Sequence, residues 1–326
     1  MKSATLALLV ALVGTAWVPA LAAPQNGSYV DRGDKSVTKS DGSEPLFDPA
    51  HQKPIIYEDG TVRIELQITP RRLSLRIEKD KKSAQFVILP PEIAQVNQIR
   101  RVHSGKVVVD GMFSGDVSEI VLVSLSTLAV SDKFLCYWPT ISPHGDYVSF
   151  VKLFPAHPEQ PVSAHYMLYD LRKNARQNRP ANVDTADYKN VGFCVYPVGI
   201  GNRDLDNVRV PAAEIHTMSA DRLFWDATGE RLVFADIYQD QTWVVLVDLG
   251  FDRRATTKTT LLSTALCGST VGQGGACTLR LEQVRFGDSA EPALTLSLKG
   301  TGKDIGIARQ VVLSYAQFAT LGSSGV

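Results

Sequence analysis

The four cysteines are the residues of this sequence best suited to covalent cross-linking. Cys267 and Cys277 lie ten residues apart across a glycine-rich stretch, a spacing that suits a disulfide closing a flexible hairpin loop. Cys136 and Cys194 then remain to pair with each other across a long loop. Zinc is the alternative, but the spacings contain no Cys-x-x-Cys and no neighbouring histidine pair. We therefore expect two disulfides, which form in an oxidising compartment.

A second group of residues has the spacing of metal ligands. Asn202, Asp204 and Asp206 fall at every second position, as the oxygen ligands do at the start of a calcium loop. The sixth residue of such a loop is normally glycine and the twelfth is normally glutamate, but here they are Asn207 and Ala213. A polar surface loop is therefore the favoured interpretation, calcium is the weaker alternative, and no other cofactor is expected.

The histidines and serines offer no complete catalytic signature. The six histidines include no pair at metal-chelating spacing within a short motif, and the sequence Gly-x-Ser-x-Gly is absent. His144 lies in a predicted turn, where we interpret it as a surface residue. His216 follows a loop, and a site role facing a central channel is the alternative to a structural one. Chemistry assembled from residues far apart in the chain is not visible in the sequence.

Five aromatic residues raise the alternative of a carbohydrate site, because aromatic faces stack on sugars. Most of these residues lie in predicted strands, where packing between sheets uses them. Core packing is therefore the favoured interpretation. The five residues are Trp138, Phe224, Trp225, Tyr238 and Trp243.

Residues 1–22 have the parts of a cleavable signal peptide. Lys2 supplies a positive start, residues 4–16 are almost wholly apolar, and the small residues Ala20 and Ala22 precede the predicted cut. The apolar run is shorter than the ~20 residues that span a bilayer, which disfavours a retained anchor. No cysteine follows the cut, which disfavours lipid attachment. We expect a soluble mature chain that is periplasmic or secreted, in a Gram-negative bacterium.

The charge balance disfavours nucleic acid as a partner. The chain has 34 basic and 34 acidic residues, and removal of Lys2 with the signal peptide leaves 33 against 34, a net charge of −1. Such a chain has no basic excess for a phosphate backbone to attract. The short basic clusters at 71–72, 79–82 and 253–254 are interpreted as solvated hairpin tips. No further stretch is apolar enough to predict a membrane span in the mature chain.

The composition changes near residue 54. Residues 23–53 are rich in Gly, Ser, Asp, Lys and Pro, which predicts a disordered N-terminal arm. Over 54–326, short apolar runs alternate with polar residues and are separated by turn signals. Residues 61–68, for example, place an apolar side chain at every second position. Helical periodicity is weak, so the sequence predicts an all-β domain over 54–326.

Internal repeats organise these predicted strands. Residues 136–151 and 221–236 share an aromatic strand, a glycine-containing turn and a second apolar strand. With weaker copies, the turn glycines fall at 60, 105, 145, 229 and 287, in steps of 45, 40, 84 and 58. A unit of roughly 42 residues fits, and the double step predicts a further unit at 175–215 that contains the strand 193–196. Repeats of this length are typical of β-propeller blades, of which we expect about five or six; a β-sandwich is the alternative.

The first repeat resembles the WD40-like repeats of TolB-type periplasmic β-propellers. Its turn reads Ser142-Pro143-His144-Gly145-Asp146 and leads into a strand that reaches Phe150, whereas the family repeat reads Ser-Pro-Asp-Gly. The second repeat, 226–234, keeps the glycine but lacks Ser-Pro. The resemblance implies a fold and not an activity, because propellers serve many functions. Members include protein-interaction scaffolds and regulatory domains of peptidases, and we expect no peptidase domain in this chain.

The favoured function is that of an exported, non-enzymatic binding module for an envelope protein partner. Propellers present many loops on a rigid frame, and the insertions 153–165 and 172–192 are expected to carry the contacts. One alternative is an exported hydrolase or lyase whose site residues come from several blades. Another is a binder of calcium, a glycan or a small molecule that uses residues 202–207.

Overall fold

The computed structural model of the protein describes most of the chain beyond residue 51. The chain divides into two units, Met1–Thr38 and Lys39–Val326, and every described residue belongs to the second. The predicted signal peptide 1–22 and residues 23–51 of the predicted arm therefore lie outside the described residues. The described ranges are 52–80, 83–102, 104–114, 117–154, 163–179, 191–196, 222–238, 241–250, 254–262, 279–287, 293–300 and 308–325.

Strands make up almost all of the secondary structure in these ranges, which confirms the predicted all-β class. Two single-turn 3₁₀ helices, Arg176–Asn178 and Tyr315–Gln317, are also present. Within the described ranges, no helix has the length and apolar character that crossing a membrane requires. The strands are β1 (Ile56–Glu58), β2 (Val62–Thr69), β3 (Arg72–Lys79), β4 (Gln85–Ile88), β5 (Gln95–Val102), β6 (Lys106–Ser114), β7 (Val117–Ser124), β8 (Ala129–Ile141), β9 (Tyr147–Phe154), β10 (Ser163–Asp170), β11 (Phe193–Tyr196), β12 (Phe224–Trp225), β13 (Arg231–Tyr238), β14 (Gln241–Leu249), β15 (Arg254–Leu261), β16 (Leu279–Phe286), β17 (Ala293–Gly300), β18 (Ala308–Ser314) and β19 (Ala319–Gly325).

The second strand shows why these segments are extended. In β2, Val62, Ile64 and Leu66 are buried, whereas Arg63 between them is exposed. Successive side chains of a strand point to opposite faces of the sheet, so this alternation buries one face and leaves the other in contact with water. The alternation predicted for residues 61–68 is therefore confirmed.

Hydrogen bonds join the strands into four antiparallel sheets. Their orders are β1-β2-β3-β4, then β5 to β11 in chain order, then β12-β13-β14-β15-β19, and β16-β17-β18. The long strand β8 serves two meanders, because residues 129–137 pair with β7 and residues 137–141 pair with β9. The seven-stranded sheet therefore divides into two four-stranded meanders that share β8.

We name the five successive meanders blades 1 to 5. Blade 1 is β1–β4, blade 2 is β5–β8, blade 3 is β8–β11, blade 4 is β12–β15 and blade 5 is β16–β18. The unit expected at 175–215 is wrong in its described part, since Phe193–Tyr196 forms β11 and pairs with β10 as the fourth strand of blade 3. The double step between turn glycines therefore includes the segment between β10 and β11 of blade 3, and its residues 197–221 lie outside the described residues.

Four apolar cores lie between consecutive blades, so each inner blade buries both of its faces. In β6, Val107 and Val109 face the core shared with blade 1, whereas Val108 faces the core shared with blade 3. Tyr166 and Phe234 stack across the core between blades 3 and 4, with ring centroids 3.9 Å apart. The fourth core joins blade 4 to blade 5. Meanders packed face to face in chain order are the architecture of a β-propeller.

The first four blades each turn between their first two strands at a glycine with positive φ. The angles are +84° at Gly60, +69° at Gly105, +72° at Gly145 and +69° at Gly229. This left-handed conformation favours glycine, and the predicted turn positions are confirmed in these four blades. Gly287, predicted for the fifth turn, is not among the positive-φ glycines of the described residues.

A repeated hydrogen bond defines one end of the sheets. In each of these four blades, an amide at the end of the third strand or directly after it donates to a carbonyl of the turn between the first two strands. These turns and the segments that follow the third strands therefore lie together, and we call this end of the blades the turn end. The bonds are Asp80 N to Thr61 O (2.8 Å), Leu125 N to Gly105 O (2.9 Å), Leu171 N to Asp146 O (2.8 Å) and Leu249 N to Glu230 O (2.8 Å).

The disulfide expected between Cys136 and Cys194 is not formed in the structure. Both thiols are buried in the core between blades 2 and 3, where Cys136 lies on the part of β8 that pairs with β7 and Cys194 lies on β11. The Cys194 thiol instead donates to the carbonyl of Tyr196 at 3.3 Å. Cys267 and Cys277 lie outside the described residues.

The folded domain includes a residue of the predicted disordered arm. The side chain of Gln52 is buried; its Oε1 accepts from the amide of Val96 at 2.6 Å, and its Nε2 donates to the carbonyl of Val96 at 3.1 Å. The side chain thus meets both backbone groups of one residue, as a neighbouring strand does. The described part of the domain therefore includes residue 52, two residues before the predicted start at residue 54.

Candidate functional site

Most of the site residues predicted from sequence lie outside the described residues. These are the calcium candidates Asn202, Asp204 and Asp206, and also His216. Within the described ranges, no group of three or more His, Cys, Asp or Glu side chains is placed to hold a metal ion. The calcium loop therefore stays a prediction.

The aromatic residues considered for a sugar site lie mainly against apolar cores. Trp138 and Trp225 pack on the core between blades 3 and 4, and Phe224 packs on the core between blades 4 and 5. The indole Nε1 of Trp225 donates to Ser149 Oγ at 3.0 Å. This agrees with packing as their main role. The side chain of Tyr238 lies outside the described residues.

A polar cleft at the turn end is the best candidate site. It has a volume of about 310 Å³ and lies where the turns of blades 1 and 3 flank the end of β5 in blade 2. Three segments about forty residues apart in sequence therefore meet there. Its lining residues are Tyr57, Asp59, Arg100, Arg101, Val102, Pro143 and His144.

Strand alternation explains how two adjacent arginines reach different neighbours. In β5, Ile99 is buried in the core with blade 1 and Val102 in the core with blade 3. Since successive side chains of a strand point to opposite faces, Arg101 shares the face of Ile99 and Arg100 that of Val102. Arg101 accordingly contacts the turn of blade 1, and Arg100 contacts Pro143 in the turn of blade 3.

Asp59 and Arg101 form a hydrogen-bonded pair on the blade 1 side of the cleft. Arg101 Nη1 donates to Asp59 Oδ2 at 2.8 Å and to Thr61 Oγ1 at 2.6 Å. Asp59 Oδ1 also accepts from the amides of Thr61 at 3.2 Å and Val62 at 3.0 Å. Burial alone raises the pKa of the Asp59 carboxyl, but these hydrogen bonds together outweigh it and lower the pKa to about 2. Asp59 is therefore ionised and neutralises Arg101.

Arg100 carries a positive charge that no carboxylate of the described chain neutralises. Its guanidinium donates to the carbonyl of Pro143, the one hydrogen-bond acceptor that the described residues offer it. The residue is half-buried, and burial lowers the pKa of Arg100, while nearby Tyr57 acts in the opposite direction. Arginine nevertheless remains protonated in proteins. The cleft thus contains a net charge of one positive unit from its arginines and Asp59.

Close packing fixes the turn that holds Pro143 and His144. A Cβ atom at Gly145 would lie 2.9 Å from Val102 Cγ1, so only glycine lets this turn approach β5 so closely. Ser142 Oγ accepts from the amides of Asp146 at 3.1 Å and of Tyr147 at 3.0 Å, which closes the turn. The Ser-x-x-Gly part of the repeat therefore positions the blade 3 wall of the cleft.

Part of this site was predicted from the sequence. His144 does lie in a turn, as predicted, and it also lines the cleft. Arg100 and Arg101 were not singled out, although they form a basic pair directly before a turn. The sequence feature that could have identified them is their position at the end of an apolar strand with a blade on each side. The side chains of two successive residues in such a strand point to opposite faces and so reach different neighbouring blades.

A second concavity, of about 410 Å³, lies on blade 5 and is a weaker candidate. Its one carboxylate, Glu282, already accepts from Arg280 Nε at 2.6 Å and from Arg222 Nη1 at 3.1 Å. Its lining residues are Glu282, Ser297, Leu298, Lys299, Ala308, Arg309 and Gln310.

Comparison by sequence finds no relative of this chain. No protein-family model matches it, and no curated protein matches it. Neither a family nor an activity is therefore established by sequence similarity.

Comparison with solved structures finds distant likenesses of fold. A eukaryotic initiation factor matches over 84% of this chain and 54% of its own, with 9% identity and a TM-score of 0.44. TolB from Acinetobacter baumannii matches over 80% and 53%, with 12% identity and a TM-score of 0.30. Prolyl oligopeptidase B from Galerina marginata matches over 83% and 43%, with 10% identity and a TM-score of 0.34. The chain thus spans about half the length of these structures, and likeness at this level says nothing about activity.

Proposed function

We propose that the protein is an exported, non-enzymatic binding module that recognises an envelope protein through its turn end. The observation that carries this proposal is the cleft between blades 1, 2 and 3, in which the half-buried cation of Arg100 faces no carboxylate of the described chain. Export is supported by the predicted signal peptide 1–22, and envelope location by the resemblance of the repeat at 142–150 to TolB-type propellers.

The chemistry of the cleft favours binding over catalysis. Its lining side chains include no serine or cysteine nucleophile. Its carboxylate, Asp59, has a low pKa and an arginine partner, which makes it a poor proton acceptor. Tyr57 has a raised pKa because of burial and the charge of Asp59, so it stays protonated near neutral pH. Groups whose protonation state does not change near neutral pH can bind a ligand but are poor acids and bases for catalysis.

The turn end is preformed, which lowers the entropy lost on binding. The Asp59–Arg101 pair joins blade 1 to blade 2, and Gly145 packs on the end of β5. The segment after β10 is held to blade 2 as well, because Lys106 Nζ donates to the carbonyl of Leu171 at 2.7 Å. A partner therefore meets a surface whose turns are already fixed.

Site-specific photo-crosslinking tests this proposal. A photo-reactive amino acid replaces His144 in the cleft of the mature chain, 23–326, and a second chain carries it at Phe86 on blade 1, whose side chain is 62% exposed. Both are exposed to light in an intact cell envelope. We expect one protein to be captured in stoichiometric yield from His144 and not from Phe86. Capture of no protein from His144, or of the same protein from both positions, contradicts the proposal.

A further inference from the structure

We infer that the cleft at the turn end is a carboxylate receptor, in which Arg100 takes the carboxylate of an acidic side chain or of a chain terminus. This inference rests on the proposed function, since it names the chemical group through which a protein partner is recognised. It concerns Arg100, flanked by the Asp59–Arg101 pair and by His144.

Arg100 differs from the other half-buried arginines of the turn end. Arg101 is paired with Asp59 at 2.8 Å, and Arg172 Nε is paired with Asp170 at 2.9 Å. Arg172 also stacks on an aromatic ring at 4.6 Å. Arg100 has neither kind of partner in the described chain and donates to a backbone carbonyl instead. Its charge is therefore available to a ligand that enters the cleft.

The guanidinium keeps enough donors for a two-point contact. Arginine has five N–H groups in a planar fork, and the carbonyl of Pro143 accepts from Nη2 alone. The remaining groups match the two oxygens of a carboxylate, with which arginine forms parallel hydrogen bonds. Because the side chain is half-buried, these bonds form in a partly dehydrated site, where they are stronger than on an open surface.

The charge of the cleft favours a carboxylate over a phosphate. The charges of Asp59 and Arg101 cancel, so Arg100 leaves one positive charge for a ligand to neutralise. A carboxylate carries one negative charge and matches it. A phosphate carries closer to two charges at neutral pH, and its second charge would meet the ionised Asp59. The volume of about 310 Å³ also suits a group the size of an acidic side chain.

Titration of the mature chain, 23–326, with small probes tests the inference. The side-chain Nε–Hε signals of the arginines are followed by nuclear magnetic resonance while the α-amide of N-acetylglutamate is added, a probe whose one charge is its side-chain carboxylate. We expect the Arg100 signal to shift in a saturable manner, and neither the uncharged α-amide of N-acetylglutamine nor inorganic phosphate to reproduce the shift at equal concentration. An equal response to phosphate, or shifts spread evenly over exposed arginines, overturns the inference.

Matched variants connect the probe to the residue. We expect Arg100→Gln to weaken binding of the α-amide of N-acetylglutamate by roughly 10- to 100-fold, because it removes a charge-assisted contact. Arg100→Lys keeps the charge but loses the planar fork, and we expect it to weaken binding as well. Arg72→Gln removes an equal charge from an exposed position of blade 1 and is expected to leave binding unchanged. Unchanged binding in Arg100→Gln, with an unaltered melting temperature, overturns the inference.

The two proposals fail in different ways. If His144 captures a protein and that capture survives Arg100→Gln, the carboxylate inference is wrong and the proposed function stands. If the α-amide of N-acetylglutamate binds through Arg100 but no protein is captured at His144, the carboxylate inference stands and the proposed function is wrong.

Discussion

Loss of one partner of the buried ion pair between Asp132 and Arg179 is expected to destabilise the protein strongly. Arg179 Nη2 lies 2.7 Å from Asp132 Oδ1, and Nη1 lies 2.8 Å from Asp132 Oδ2. The arginine side chain is 1% exposed and the aspartate side chain 5% exposed. The pair joins the segment that follows β10 in blade 3 to β8 of blade 2. The perturbation is Asp132→Asn, which removes the anion and keeps an oxygen that accepts from Tyr169.

The structure gives the magnitude of this effect. Asp132→Asn takes the carboxylate charge of Asp132 from the buried guanidinium of Arg179, and removing one partner of a buried ion pair costs about 3–5 kcal/mol of unfolding free energy. The hydroxyl of Tyr169, which donates to Asp132 Oδ2 at 2.7 Å, keeps an acceptor in the variant and adds little to the loss. Replacing Arg179 with methionine in the same chain removes the buried positive charge as well, so the double variant is expected to recover at least half of the loss.

Equilibrium unfolding in urea, followed by tryptophan fluorescence and by circular dichroism, measures these differences. The matched control is Arg63→Met, which breaks an exposed pair with Glu58 at 3.6 Å, where the side chains are 43% and 60% exposed. Exposed pairs contribute about 0–1 kcal/mol, so the control is expected to change little. Coincidence of the two probes establishes that a single unfolding free energy is defined.

Two results would refute this reasoning. A loss below about 1 kcal/mol in Asp132→Asn would mean that water reaches the pair and screens it, contrary to its burial. A double variant no more stable than Asp132→Asn would mean that the loss does not arise from the buried positive charge of Arg179.

Three further expectations follow from the turn end and the cores. Gly145→Ala places a Cβ 2.9 Å from the side chain of Val102, at a residue whose φ is +72°. We expect it to lower the urea midpoint of unfolding by more than Gly60→Ala does, because at Gly60 φ is also positive, at +84°, but no atom lies within 4 Å of the added Cβ. Burial raises the thiol pKa values of Cys136 and Cys194, that of Cys194 to about 12. Neither thiol should therefore react with iodoacetamide at pH 8 until the chain unfolds. Rapid labelling of the native protein, or a bridge between the two cysteines in a non-reduced peptide map, contradicts this. The Asp59 carboxyl has a pKa of about 2 in the folded protein against ~3.9 when unfolded, so the stability it contributes is present above pH ~4 and is lost as the pH falls towards 2. Between pH 7 and pH 2, the wild type should therefore lose more unfolding free energy than Asp59→Asn does, measured by urea unfolding at each pH, and equal losses would exclude this contribution.

The repeat positions could be predicted from the sequence because their cause is local. A turn that needs positive φ requires glycine at that place, and the positions of Gly60, Gly105, Gly145 and Gly229 therefore report the beginnings of blades. The size of blade 3 could not be predicted in the same way. Its third and fourth strands are joined by a long connection, and counting residues between glycines does not distinguish a connection from a blade.

The cysteine pairing shows a different limit. An even number of cysteines and the remoteness of Cys136 from Cys194 favoured a bridge, but whether two thiols meet depends on how the blades that carry them pack. Cys136 belongs to blade 2 and Cys194 to blade 3, and the packing of these blades is set by contacts between whole strands. The buried pair of Asp132 and Arg179 was invisible to sequence analysis for the same reason, since neither residue forms a motif.

The cleft itself was only partly predictable, because it is a product of blade packing. The alternation of β5 was readable, but which neighbours its two faces meet depends on the order in which the blades stack. A half-buried cation without an anion opposes folding, and the other half-buried arginines named at the turn end have carboxylate partners. A position that departs from this rule in an otherwise consistent fold is where function is expected. Arg100 has a backbone carbonyl as its partner, and that contact orients the guanidinium while leaving its charge for a ligand.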